Sequence, residues 1–384
     1  GGMRQRVMIA AALTGQPRLL IADEPTTALD APLRAGILDL LDSLRRDAGL
    51  ALMVITHDLR AVSRLGCDVV EIDAGQVVAP LKRRSAVTPA SVVIPDTWRD
   101  THSAEPPLLN LRDASLRYPG GRLARKGRIA FTDVTLGIAR GETLALVGAS
   151  GSGKSSLARA ILGLEPRATG QIRVLGRDVL HMRPRALHAA RADMQMVFQD
   201  PAGSFDPRRT LGAQVGDVLR NYGRPADAAK VAALLAQVHL PADIMQRYPH
   251  QVSGGQCQRV AIARALALSP KLIIADEAVS ALDSAVQTEI LDLLAQLQAR
   301  LGLGVLLITH DLDAARRISH RLAVMQDGRI VEQGRTHDLL ADPRHTHTRA
   351  LIAASDLGTL PLQGKSGQAI TKKTRPVSAL PGDG

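Results

Sequence analysis

The segment from Gly141 to Leu164 places the strongest constraint on the fold. A strand-like run, GETLALVG, leads into the glycine-rich ASGSGKSS, and the helical LARAILGL follows directly. Gly148–Ser155 therefore fits the pattern G-x-x-x-x-G-K-[ST] in the strand–loop–helix context that the pattern requires. Glycines let successive backbone N–H groups turn towards one anion, and the positive end of the helix adds to the attraction. The segment predicts a phosphate-binding loop.

We expect this loop to hold a nucleotide. Lys154 would reach the β- and γ-phosphates of ATP, and the Ser155 hydroxyl would help to hold Mg²⁺. The other predicted cofactor-binding residues of the segment are Gly148, Ala149, Ser150, Gly151, Ser152, Gly153 and Ser156. A glycine-rich turn with an exposed lysine is the alternative, and the flanking strand and helix argue against it.

Two acidic residues end a short apolar run. KLIIADE, Lys271–Glu277, has the composition of a strand buried on both faces of a parallel sheet. Ligands bind beyond the carboxyl ends of such strands. We therefore expect Asp276 to serve the Mg²⁺ shell, directly or through water, and Glu277 to orient or polarise the attacking water. Acids at a strand end are often only a solvated turn, but the accompanying phosphate loop favours a catalytic pair.

Three further residues are candidates for the same site. His310 follows the apolar strand-like residues of GVLLITHD. Because His57 lies at the same spacing from the acidic pair of the first copy, we expect His310 to contact the γ-phosphate. Gln199 in VFQDP follows the apolar Met194–Phe198 and could ligate Mg²⁺ and sense the γ-phosphate. Tyr118 in RYPGG could stack on adenine, an interaction worth about 1–3 kcal/mol, or could be a strand-edge tyrosine.

The first 78 residues recur at a constant offset of 253. GGMRQRVMIA at Gly1 matches GGQCQRVAIA at Gly254, and 35 of the 78 aligned positions are identical. Duplication on this scale predicts two copies of one module. We interpret residues 1–78 as the C-terminal half of a truncated first copy, 79–107 as a linker, 108–357 as the complete copy and 358–384 as a disordered tail.

A second glycine pair precedes the strongly helical CQRVAIARALAL. Ser253 of VSGGQ could cap that helix, and Gly254 and Gly255, with Gln256, would expose backbone N–H groups at its start. This is a phosphate-binding end without a lysine of its own. Such an end makes sense if it covers a nucleotide held by another module.

The phosphate loop, QDP, SGGQ, LIIADE, SALD and THD occur in this order. In this order of motifs the chain resembles the nucleotide-binding subunits of ABC transporters, over nearly all of residues 108–357 and over 1–78. The resemblance implies an α/β fold of the P-loop NTPase type: a mostly parallel sheet, a helical insertion between Asp206 and Pro249, and a partial second cassette at the N-terminus. It also implies that Asp283 belongs to the nucleotide site. QDPAGSFDPR and PRHTHTRAL resemble the oligopeptide, dipeptide and nickel importer branch, although Ala278 stands where the family commonly has proline.

In that family two cassettes close head to tail around ATP. The Lys154 site would then be covered by Gly1 and Gly2, whereas the opposite site lacks a phosphate loop. That opposite site would offer Ser253–Gln256, Asp23, Glu24 and His57. The implied partners are two transmembrane permease subunits, indirectly a solute-binding protein, and a second cassette from this chain or another. The implied location is the cytoplasmic face of the bacterial inner membrane, as a peripheral protein.

ATP hydrolysis that energises solute import is the function this resemblance implies. A non-catalytic ATP-binding remnant and a soluble ABC ATPase outside transport are the alternatives. The net charge of +11 permits nucleic-acid binding, but no basic stripe with interleaved aromatics is present, so we predict no nucleic-acid partner. No stretch approaches the roughly 18 consecutive apolar residues of a membrane helix, and the two cysteines lack zinc-ligand spacing.

Overall fold

The structure is a computed structural model that describes residues 2–26, 31–47, 49–56, 59–73, 75–81, 106–119, 127–280 and 282–355. The predicted tail, most of the predicted linker, Gly1 and His57 lie outside the described residues. None of the helices in these ranges combines the length and the apolar character that crossing a lipid bilayer requires.

A six-stranded sheet forms the centre of the complete copy. Its strands lie in the order β10 (Met194–Val197), β11 (Leu272–Asp276), β12 (Gly304–Thr309), β7 (Thr143–Val147), β13 (Arg321–Gln326) and β14 (Arg329–Arg335). All neighbouring pairs are parallel except β13 and β14, which are antiparallel. The predicted α/β fold with a mostly parallel sheet is therefore confirmed.

A second, antiparallel sheet covers one face of this centre together with one helix. Its strands lie in the order β6 (Arg128–Ile138), β5 (Leu109–Tyr118), β8 (Thr169–Val174) and β9 (Arg177–Asp178). The helix is α4 (Lys154–Ile161), which starts directly after the predicted phosphate loop and packs on β6, β8 and β11.

The other helices of the complete copy lie mostly on the opposite face. They are α5 (Pro184–Arg191), α6 (Leu211–Asn221), α7 (Ala228–Gln237), α8 (Gly254–Leu266), α9 (Ser284–Leu301), α10 (Leu312–Ile318), α11 (Thr336–Ala341) and α12 (Thr346–Ala354). The helices α6 and α7 are the helical insertion expected between Asp206 and Pro249.

The middle strands β7, β11 and β12 of the central sheet are mostly apolar, and every one of their residues is buried. On β11, Leu272 and Ile274 pack with α4 and the antiparallel sheet, while Ile273 and Ala275 pack with the helices of the other face. Continuous apolar runs of this kind are typical of parallel strands covered on both sides. The polar residues that carry chemistry are thereby confined to the strand ends.

The described part of the first copy contains the same elements at the same offset. They are α1 (Gly2–Leu13), β1 (Leu19–Asp23), α2 (Ala31–Asp47), β2 (Ala51–Ile55), α3 (Leu59–Leu65), β3 (Val69–Asp73) and β4 (Gln76–Leu81). The strands β1 and β2 pair in parallel, as their counterparts β11 and β12 do. The predicted boundary at residue 78 falls within β4, whose residues 79–81 pair with Val69–Glu71 in the hairpin of β3 and β4.

In the first copy the two pairs of strands form separate sheets. In the complete copy β7 lies between β12 and β13 and joins them, whereas β1–β2 and β3–β4 have no such strand between them in the described ranges. One face of β1 and β2 is covered by α1 and α2. The other face is open, and its apolar side chains are Leu19 (51% exposed), Ile21 (57%), Met53 (52%) and Ile55 (46%). Their counterparts in the complete copy are all 0% exposed.

Candidate functional site

The predicted phosphate loop joins β7 to α4 and encloses its lysine. The Lys154 side chain is 4% exposed, and its Nζ donates to the carbonyl oxygens of Gly148 at 2.8 Å and Ala149 at 2.9 Å. No side chain caps the start of α4 at Gly153, so the first-turn N–H groups remain available for an anion. The Ser152 hydroxyl is buried and has no partner among the described residues. The loop thus surrounds the Lys154 ammonium group, and it leaves the Ser152 hydroxyl and the first N–H groups of α4 available to donate to an anion.

Two glycines of the loop admit no side chain. A Cβ at Gly148 would overlap the carbonyl oxygen of Met325, and one at Gly153 would overlap that of Ala130. Gly153 also has a φ of +109°, a conformation that side chains rarely adopt. Nothing in the local sequence identifies Met325 and Ala130, because they come from β13 and β6. They form the back wall of the loop.

The first acidic residue of the pair lies next to the loop. The Ser155 hydroxyl donates to Asp276 Oδ1 at 3.1 Å, which links α4 to the end of β11. Burial raises the pKa of Asp276, the neighbouring Glu277 also raises it, and the Ser155 bond and Lys154 lower it. A hydroxyl and a largely desolvated carboxylate therefore lie side by side, and both are ligands that Mg²⁺ accepts.

The second acidic residue is held in an unusual backbone conformation. Glu277 has a φ of +48°, and its N–H donates to the Ile308 carbonyl at 2.9 Å. Glu24, its counterpart in the first copy, has a φ of +45° and the same bond to Ile55 at 2.9 Å. Strain of this kind clusters at functional sites, and both copies retain it.

Two of the candidate residues contact this glutamate. Gln199 Nε2 donates to Glu277 Oε2 at 2.8 Å, and His310 Nδ1 lies 3.7 Å from the same oxygen. The interaction with His310 is the main cause that lowers the pKa of Glu277, burial opposes it, and the positive charge of Lys154 lowers it further. The carboxyl group therefore stays ionised at neutral pH.

Tyr118 lies apart from this cluster. It ends β5, is half-buried, and its hydroxyl donates to Glu165 Oε1 at 2.8 Å. Residues 120–126, which follow it, lie outside the described residues. Glu165 was not among the predicted site residues, because a glutamate after a helix carries no local signal.

The segment Ser253–Gln256 also lies apart. The Ser253 hydroxyl accepts from the Gln256 N–H at 3.2 Å, and Gln256 Oε1 accepts from the Ser253 N–H at 3.1 Å. This reciprocal pair caps α8 and leaves its start exposed. Asp283 caps α9 through the Val286 N–H at 2.9 Å, and no hydrogen bond among the described residues ties it to the Lys154 loop.

Comparison with known proteins agrees with this arrangement. A family model described as ABC transporter matches residues 1–27 and 131–280. The Glutathione import ATP-binding protein GsiA of Pectobacterium atrosepticum is 41% identical over 396 residues, covering 92% of this chain and 64% of the relative. Its namesake in Escherichia coli (strain K12) is 42% identical over 397 residues with the same coverage. The chain thus spans 64% of the length of these relatives.

Solved structures match the fold of the complete copy. The dimeric bacterial ABC transporter cassette MJ0796 superimposes with a TM-score of 0.54 and 30% identity, covering 59% of this chain and 98% of that one. The cbiO1 protein from Clostridium perfringens, part of the ABC transporter complex cbiONQ, gives a TM-score of 0.55 and 27% identity, with coverage of 62% and 92%. Together with the order of the motifs and the geometry of the loop, these likenesses show that the chain belongs to the ABC transporter ATP-binding cassette family.

Proposed function

We propose that the protein binds and hydrolyses ATP at the Lys154 loop, and that hydrolysis energises solute import through partner membrane subunits. The observation that carries this proposal is the convergence of six side chains at the carboxyl ends of four neighbouring parallel strands. They are Lys154, Ser155, Gln199, Asp276, Glu277 and His310. Ligands of α/β proteins bind at this edge of the sheet.

The loop and α4 would hold the phosphates. Lys154 would exchange its bonds to two backbone carbonyls for bonds to the β- and γ-phosphates. The buried Ser152 hydroxyl, without a partner in the described residues, and the uncapped N–H groups of α4 would donate to the same anion.

The Ser155–Asp276 pair suits Mg²⁺. The raised pKa of Asp276 reflects a desolvated carboxylate, whose charged form a cation at this position would stabilise. Gln199 would contribute its amide oxygen when ATP is present. The ion would neutralise charge on the phosphates, and its oxygen ligands would come from these residues.

Glu277 would polarise the attacking water. Its lowered pKa keeps the carboxylate ionised, so it can accept a hydrogen bond from a water molecule at neutral pH. In the structure the Gln199 amide donates a hydrogen bond to that carboxylate. We propose that the amide turns towards Mg²⁺ and the γ-phosphate when ATP binds, which frees Glu277 for water, while His310 contacts the γ-phosphate.

The solute would be of the oligopeptide, dipeptide or nickel type. Support comes from the QDPAGSFDPR segment and from relatives named for the import of glutathione, itself a small peptide. Two transmembrane permease subunits would bind the cassette at the cytoplasmic face of the bacterial inner membrane. A solute-binding protein would act indirectly through them.

A second cassette would complete the nucleotide site. The exposed start of α8 at Ser253–Gln256 suits a nucleotide held by another copy, and Asp283 would contact nucleotide only in the closed assembly. Tyr118 would stack on the adenine ring. In the same proposal residues 1–78 are half of a first copy that precedes the complete cassette at 108–357.

Phosphate release by the full chain, with and without membrane subunits, tests the proposal. Glu277→Gln should bind ATP almost normally and lose about 10²-fold or more in turnover, because the group that orients water is gone. Glu289→Gln is the matched control: it makes the same change at an exposed glutamate on α9 that pairs with Arg259 away from the site, and it should leave turnover unchanged.

Two outcomes would contradict the proposal. Parental turnover in Glu277→Gln would exclude this carboxylate from catalysis. ATP binding without turnover, even with membrane subunits present, would favour the non-catalytic remnant instead.

A further inference from the structure

The residues directly after Gln199 form a compact turn. The Gly203 N–H donates to Asp200 Oδ1 at 2.9 Å, and the Ser204 hydroxyl donates to the Pro201 carbonyl at 2.7 Å. A Cβ on Gly203 would overlap Asp200 Oδ2, so a side chain at this position would push the Asp200 carboxylate away from the Gly203 N–H. Residues 200–205 are therefore a built turn, which we call the Gln199 turn.

Arg264, on the last part of α8, binds this turn from the core side. Its Nη1 donates to the Ser204 carbonyl at 2.8 Å and its Nη2 to the Ser204 hydroxyl at 2.7 Å. The guanidinium carbon lies 4.2 Å from the centroid of the Phe205 ring, which is 4% exposed. Two hydrogen bonds and a cation–π contact join one arginine to two consecutive residues of the turn.

The arginine is held there at a cost in solvation. Burial is the first cause that lowers the pKa of Arg264, and no carboxylate in the described parts of the chain pairs with it. The helix itself does not need this side chain, because the equivalent position of α1 is Ala11 and α1 ends at the equivalent residue. Arg264 therefore contributes its contacts with the Gln199 turn rather than the stability of α8 itself.

The position of the turn decides where Gln199 can lie. Only residues 198–200 separate the buried Val197 at the end of β10 from Pro201 at the start of the turn proper. Gln199 is thus connected by short stretches of chain to the sheet on its N-terminal side and to the turn on its C-terminal side. In this arrangement its amide donates to Glu277 Oε2 at 2.8 Å.

We infer that Arg264 is a positioning residue for Gln199: it fixes the Gln199 turn to α8 and so keeps Gln199 beside the site, where its amide contacts Glu277 in the nucleotide-free chain and would reach Mg²⁺ when ATP is bound. The part of this inference that concerns Mg²⁺ and ATP rests on the proposed function. The part that concerns the turn rests on the contacts alone.

Amide hydrogen exchange on the nucleotide-free full chain tests the turn directly. Arg264→Met should speed exchange of the Gly203, Ser204 and Phe205 amides about 10-fold, since these hydrogen bonds lie within the turn. Arg264→Lys keeps the charge but not the paired donors and should give an intermediate rate. Unchanged exchange in Arg264→Met would overturn the inference.

Arg259→Met is the matched control on the same helix. Arg259 donates to the Val238 carbonyl at 3.3 Å and to Glu289 at 2.7 Å, away from the turn. This variant removes comparable bonds from α8 and should leave exchange of the turn as it is. Equal acceleration in both variants would mean that Arg264 only stabilises α8, which also overturns the inference.

The Mg²⁺ requirement of hydrolysis supplies the second measurement. Arg264→Met should raise the Mg²⁺ concentration for half-maximal turnover about 10-fold, as loss of a residue that orients a ligand does. Affinity for Mg²⁺-free ATP should stay unchanged, because the Lys154 loop is untouched. A loss of ATP affinity without a Mg²⁺ shift would contradict positioning. A wild type that does not hydrolyse ATP would refute the proposed function, while the exchange result still decides the role of Arg264.

Discussion

The repeat provides a matched pair of positions for testing the open face of β1 and β2. Ile21 and Ile274 lie 253 residues apart on equivalent strands, yet Ile21 is 57% exposed and Ile274 is 0% exposed. Ile274→Ala would leave a cavity in a close-packed cluster and should cost about 2–5 kcal/mol. Ile21→Ala removes a side chain that is already more than half in water, so its cost should be about 1 kcal/mol or less.

Urea-dependent amide exchange on the full chain would report the two strands separately. In the wild type we expect Arg18–Thr56 to exchange faster than Lys271–Thr309, because one face of its sheet lacks the packing that covers the other copy. Ile274→Ala should lower the local opening free energy of β11 by about 2–5 kcal/mol. Ile21→Ala should barely change the local opening free energy of β1. Equal losses at the two positions, or equal protection of the two segments, would show that the face is covered in solution and refute the reasoning.

Two further substitutions address the nucleotide site. Lys154→Ala should weaken ATP binding, measured by calorimetry with Mg²⁺, about 10- to 150-fold, because a charge-assisted phosphate contact worth about 1.5–3 kcal/mol disappears. Parental affinity would contradict the assigned role. His310→Ala removes the main cause that lowers the pKa of Glu277 while burial, which raises it, remains. The pKa of Glu277 should therefore be higher in this variant, and the acid limb of the pH–rate profile should move to higher pH. An unmoved acid limb would show that His310 does not lower the pKa of Glu277.

The central part of the candidate site was predictable because its signals are local. The loop at Gly148–Ser155 and the acids after Ile274 each depend on a strand and the few residues that follow it, and the apolar runs mark those strands. Parallel strands bring their carboxyl ends to one edge, so the separate motifs had to meet there.

The contacts that complete the site come from distant segments. The carbonyls of Ala130 and Met325 wall the phosphate loop, and Arg264 holds the turn near Gln199 from 60 residues away. Backbone carbonyls carry no sequence signal, and an arginine within a helical pattern is indistinguishable from a solvated one. Nothing in the sequence indicates that β4 runs past residue 78, because its pairing with β3 depends on a register that a run containing Pro80 does not reveal.

The position of β7 has a mechanical consequence. This one strand hydrogen-bonds to both β12 and β13 and also carries the phosphate loop at its end. A displacement that ATP causes at the loop therefore passes directly into both halves of the sheet.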